Sequence, residues 1–107
     1  MASIFITGSA DGLGQLAAQA LTAEGHTVVL HARNAERARQ AGQAVPAAAH
    51  VIAGDLADLA ATRQVAAAAN AWGRFDAVIH NAGVYQAPAH EIFQVNAIAP
   101  YVLTCLM

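Results

Sequence analysis

The segment Thr7-Gly8-Ser9-Ala10-Asp11-Gly12-Leu13-Gly14 follows a short apolar run, Ser3 to Ile6, and opens an alanine-rich stretch of helical character. A glycine-rich turn between a strand and a helix has the properties of a phosphate cradle. Gly8 lets the chain turn tightly, Gly12 removes a Cβ where a pyrophosphate would approach, and Gly14 lets the helix pack close to the sheet. A helix starting near Leu13 then aims its unpaired N–H groups and positive dipole end at the anion. The spacing is Gly-x-x-x-Gly-x-Gly and not the commoner Gly-x-Gly-x-x-Gly, and a purely structural turn can have the same composition.

Such a cradle works only if strands and helices alternate to hold it, and the chain has that alternation. Strands are predicted at Ser3 to Thr7, Thr27 to His31, His50 to Ala53 and Phe75 to His80, each a brief apolar run suited to a sheet covered on both faces. Helices lie between them. The first runs from about Leu13 to Glu24 and ends at Gly25, the second from Ala35 to Ala44 stops before Pro46, and the third from Asp58 to Trp72 stops at Gly73. Asp58 is placed to cap the third. A fourth helix is expected from near Glu91 to the last residue. The pattern predicts an α/β fold, a Rossmann-like doubly wound parallel sheet of about four strands forming one unit over residues 1–107.

Polar residues now fall at the carboxyl ends of all four strands: the glycine turn, then Ala32-Arg33-Asn34, Asp55-Leu56 and Asn81-Ala82-Gly83. Open α/β sheets bind ligands at that edge. In this order, and with Phe93-Gln94-Val95-Asn96 following, the residues resemble the short-chain dehydrogenase/reductase family. The resemblance extends along the whole chain but covers only about the cofactor-binding half of a family member.

The resemblance implies an oxidoreductase that moves hydride between NADP(H) and a carbonyl or secondary alcohol, with a small-molecule substrate. It implies that Gly8, Gly12, Leu13 and Gly14 hold the pyrophosphate, and that Asp55 and Leu56 meet the adenine. Asn81, Ala82 and Gly83 would lie beside the middle of the cofactor, and Asn34 would border the adenosine end. Arg33 stands where a carboxylate would bind ribose hydroxyls in an NAD enzyme; an arginine there neutralises a 2′-phosphate, so NADP is expected over NAD. Ser9 is placed to add a hydroxyl to the same phosphate, whereas Asp11 would oppose it if it pointed inward. Other roles remain open: Arg33 as a solvated surface residue, Asp55 as a helix cap, and Asn81 as a structural bond between strands.

Asn96 matches the family's catalytic asparagine. Four residues later comes Pro100, which has no N–H to give the Asn96 carbonyl and whose ring pushes that carbonyl aside. A kink that frees the Asn96 oxygen is expected. In the family this oxygen holds a water in a proton path. The family's proton-donating tyrosine and its lysine partner are absent: neither Tyr85 nor Tyr101 is followed four residues later by lysine, and the chain has no lysine at all. A further segment carrying them is expected in the intact protein, which would close the apolar edge at Phe75 to His80. A nucleotide-binding or redox-sensing module without catalysis is the alternative that the same residues allow.

Composition limits the remaining choices. With 57% hydrophobic and 11% charged residues the chain fits a packed α/β domain, and a net charge of −2 gives no footprint for nucleic acid or an anionic membrane. The single cysteine, Cys105, fits a reducing cytoplasm, and the five histidines show no metal-ligand spacing, so no metal is expected. No signal peptide is visible in residues 1 to 12, and a homo-oligomer is expected of the intact protein.

Overall fold

A computed structural model describes residues 1–107. Four parallel strands, β1 (Ser3–Ile6), β2 (Thr27–Ala32), β3 (His50–Ala53) and β4 (Ala77–Ile79), form one sheet in the order β3-β2-β1-β4. Phe5 lies opposite Val29 of β2 and Val78 of β4. The chain steps outward from β1 to β3 and then returns to the other side of β1. The crevice above the carboxyl ends of β1 and β4 is therefore the point where the winding reverses.

Period-two alternation decides which side chain faces which layer. Ile4, Ile6, Val28 and Leu30 face α1 (Gly12–Ala23) and α2 (Ala35–Ala44), packing with Ala18, Ala41 and Val45. Phe5, Val29 and Ile52 face α3 (Leu59–Trp72) and α5 (Ala99–Leu106), packing with Val65, Ala66, Ala69, Ala99 and Leu103. Both faces are covered, which is why the central strands read as unbroken apolar runs. Burial of each large side chain contributes roughly 1.5 to 3 kcal/mol, and Phe5, Ile6, Leu30 and Leu103 are almost completely buried.

Local signals fix the helix ends. Gly25, at φ +90°, follows α1 in a backbone conformation that other residues resist. The Asn34 side chain accepts the Arg37 N–H at 2.8 Å to start α2, and Asp58 accepts the Ala61 N–H at 2.8 Å to start α3. Each such cap is worth about 1 kcal/mol.

Two expectations are corrected. β4 is shorter than Phe75 to His80, because both flanks are engaged elsewhere. Asp76 accepts the Ser3 N–H at 2.8 Å, the Phe75 ring sits 5.6 Å from that of Phe5, and His80 Nε2 lies 3.1 Å from the Thr104 hydroxyl. The last helix is not continuous either. It consists of α4 (Ala89–Phe93), a π turn (Gln94–Ile98) and α5. Pro100 removes an N–H from the α ladder, and just before it the Ala99 N–H reaches back five residues to the Gln94 carbonyl.

Candidate nucleotide-binding site

The turn after β1 is bolted to the end of β4. The Thr7 hydroxyl accepts the N–H groups of Asn81 and Ala82, both at 3.1 Å, and the Asn81 side-chain amide donates to the Gly8 carbonyl at 3.1 Å. Gly8, at φ +63°, lies so near Ala82 that a Cβ would come within 2.8 Å of its Cα. At Gly14 a Cβ would come within 2.5 Å of the Asn81 amide and the Gly8 carbonyl. These two glycines serve close packing. Gly12 is different: it has φ +57°, and nothing lies within 4 Å of where its Cβ would be. It faces open space.

That space is bordered by an uncapped helix end. The N–H groups of Gly12, Leu13 and Gly14 have no acceptor in the chain, and the first α1 bond is from the Gln15 N–H to the Asp11 carbonyl at 3.2 Å. The Asp11 side chain occupies the N-cap position yet makes no capping bond. It turns instead to Arg37 of α2, with which it forms an ion pair. Asn34 and Asp58 cap α2 and α3, so of the three long helices only the one aimed at the crevice lacks a side-chain cap. Orphan N–H groups beside a glycine without a Cβ fit an anionic group such as a pyrophosphate.

A cleft of about 960 Å³ continues from this point along the carboxyl edge of the sheet. Of the residues named from the sequence, Gly8, Gly12, Leu13, Arg33, Asp55, Leu56, Asn81, Ala82 and Gly83 border it. Arg33 is exposed and makes no ion pair within the chain. Asp55 accepts the Ala57 N–H at 2.9 Å, which leaves its second carboxylate oxygen free. Leu56 borders the cleft but is buried in the α3-facing core. A second groove, of about 830 Å³, runs along β4 and α5 and gathers none of the residues predicted from the sequence.

Four predicted residues do not border the cleft. Ser9 is fully buried, with its hydroxyl donating to the Ile6 carbonyl at 2.9 Å and accepting the His31 N–H at 2.8 Å. It therefore has no free hydroxyl to offer a phosphate. Asn34 is occupied as the α2 cap, and Gly14 lies behind the turn. Asn96 is held by two side-chain bonds: its Oδ1 accepts the Val84 N–H at 2.8 Å, and its Nδ2 donates to the Val84 carbonyl at 2.7 Å. This clamp ties the loop after β4 to the π turn.

Among the bordering residues not assigned to the site from sequence are Arg37 and His31. Arg37, in the first turn of α2, borders the same cleft as Arg33 and brings a second positive charge to it. His31, near the end of β2, is only 2% exposed; burial pushes its pKa below 6.5, against the opposing pull of the Gly54 carbonyl and Asp55. A polar residue inside an apolar strand was the available signal.

A family model for short chain dehydrogenases matches residues 2–105. The chain belongs to the short-chain dehydrogenase family. It is 53% identical, over its whole length, to 46% of an uncharacterised oxidoreductase of Emericella nidulans. Its fold superimposes on the Pseudomonas aeruginosa RhlG/NADP active-site complex with a TM-score of 0.86 at 26% identity, covering 98% of this chain and 46% of that one. A metagenomic short-chain oxidoreductase in complex with NADP gives a TM-score of 0.80 at 29% identity, over 99% of this chain and 54% of that one. The chain thus spans about half the length of the relatives it matches. For this short-chain dehydrogenase chain, no helix is long and apolar enough to cross a membrane.

Proposed function

We propose that the chain forms the cofactor-binding half of an NADP(H)-dependent oxidoreductase acting on a carbonyl or secondary alcohol. The observation that carries this reading is the open N-terminus of α1 at the strand reversal, with Gly12 facing free space and an unpaired Arg33 across the cleft. The α1 donors would take the pyrophosphate, Arg33 the 2′-phosphate, Asp55 the adenosine end, and Asn81 to Gly83 the middle of the nucleotide. A bound nicotinamide nucleotide supplies the hydride chemistry. The chain's own work is to orient it.

Asn96 contributes through its backbone. Both ends of its side-chain amide are held by Val84, while Pro100 denies its carbonyl the usual i+4 donor. In this reading that oxygen, without its α-helical donor, would hold a water near the reaction centre. Residues outside this chain would supply the proton donor, and the setting proposed for the full-length protein is a cytoplasmic homo-oligomer.

The deciding experiment titrates NADPH and NADH against full-length protein and its Arg33→Asp variant. The wild type should favour NADPH by roughly ten- to hundredfold, as expected for one charge-assisted contact, and the variant should lose that preference. Equal affinities in the wild type would overturn the assignment of NADP.

A further inference from the structure

His31 joins two turns at once. The Gly8 N–H donates to its Nδ1 at 2.9 Å, and its Nε2 lies 2.8 Å from the Gly54 carbonyl. Its backbone N–H donates to the Ser9 hydroxyl at 2.8 Å, and its carbonyl accepts the Ser9 N–H at 3.0 Å. The roles of the ring nitrogens follow from chemistry alone. An N–H facing Nδ1 requires a lone pair there, and a carbonyl facing Nε2 requires a proton there. The ring is therefore neutral and in a single tautomer, with the Phe5 ring edge-on at 6.4 Å.

The two backbone groups it joins begin the two segments that flank the cleft. Gly8 opens the turn leading to the free donors of α1, and Gly54 opens the turn carrying Asp55. Gly8 is held from one side by Ala82 and from the other by the imidazole. Without an acceptor at Nδ1 the part-buried Gly8 N–H would lose its one partner in the chain, and the turn would be free to shift toward another.

We propose that His31 is a positioning residue for the nucleotide: its neutral Nε2–H imidazole fixes the glycine turn and the Asp55 turn at the separation that the cofactor spans. This rests on the nucleotide-binding reading above. His31 touches the cleft wall but acts through Gly8 and Gly54.

Asparagine and leucine test it, being nearly equal in shape and differing in one respect: the Oδ1 of His31→Asn takes the place of Nδ1 as acceptor, and His31→Leu has none. In the full-length protein, NADPH should bind about tenfold more weakly to His31→Leu and within about threefold of wild type to His31→Asn. Thermal stability, measured in parallel, should fall in both, because both lose the Gly54 bond. Without nucleotide, Gly8 amide exchange should be slow in wild type and His31→Asn and fast in His31→Leu. Nitrogen-15 spectra of the wild-type imidazole should show the proton on Nε2, a readout that survives if either variant fails to fold. Equal NADPH affinity in both variants, or a proton on Nδ1, overturns the proposal while leaving the nucleotide site intact. A wild type with a protected Gly8 amide that binds no nicotinamide nucleotide overturns both.

Discussion

Asp11 and Arg37, 26 positions apart, close an ion pair across the mouth of the cleft. The pair has two effects. It draws the acidic side chain away from the α1 donors that it would otherwise cap, and it engages a guanidinium at the edge of the cleft. Any 2′-phosphate arriving at Arg33 meets Arg37 already partnered.

Removal of the Asp11 charge should therefore strengthen NADPH binding. In Asp11→Asn we expect a three- to tenfold lower Kd for NADPH, an estimate of about 1 kcal/mol for a freed but solvent-screened arginine. NADH affinity should not change. Stability should shift by less than about 1 kcal/mol, since the pair is largely exposed. Calorimetric titration with both nucleotides decides the matter, and weaker NADPH binding would mean that Asp11 itself orders the turn.

The glycines should separate binding from folding. At Gly12 alanine meets no atom, so Gly12→Ala should cost only about 1 kcal/mol of backbone strain while sharply reducing nucleotide affinity. At Gly14 the same change meets the Asn81 amide and the Gly8 carbonyl, and overpacking of this kind costs typically 1 to 3 kcal/mol or more. Denaturant melts and nucleotide titrations on the two variants should rank oppositely. Similar stability losses in both would contradict this division of roles.

Pro100→Ala restores an N–H within reach of the Asn96 carbonyl, and the π turn should relax to α. Turnover of the full-length enzyme should fall more than cofactor affinity. Because Pro100 sits in the first turn of α5, where proline is tolerated, stability should change by less than the roughly 3 kcal/mol typical of a helix interior. Unchanged turnover with a straightened helix would show that the Asn96 carbonyl has no part in the reaction.

The buried imidazole predicts a pH dependence of stability. His31 has a folded pKa lowered from 6.5 by burial, so the unfolded chain binds a proton more readily than the folded one. Its stabilising contribution is complete above 6.5 and declines as pH falls through 6.5 toward the lower folded value. His80, also lowered by burial, adds a slope of the same sign. Urea melts between about pH 7.5 and pH 5.5 should show falling stability, and His31→Asn should flatten the curve. A slope that survives both His31→Asn and His80→Asn belongs to other groups.

The amino-acid sequence alone determined the elements and pointed to about half of the residues that border the cleft. Gly25 and Gly73 stop helices, Asp58 starts one, and four apolar runs mark the strands, because each of these depends on a few neighbouring residues. The order β3-β2-β1-β4 and the meeting of Gly8, Arg33, Asp55 and Asn81 follow from short connections and consistent winding. Only the tertiary structure decided how side chains were used. Ser9 became a buried tie between β1 and β2, Asn96 a clamp on Val84, and His31 a bridge from Gly8 to Gly54. Asp11 found Arg37 in place of the helix it precedes. Each of these joins groups at least 12 positions apart in the chain. A hydrogen-bonding residue carries the same donors and acceptors whatever its partner; which of them it spends is fixed only when the packed sheet brings distant backbone groups within about 3 Å.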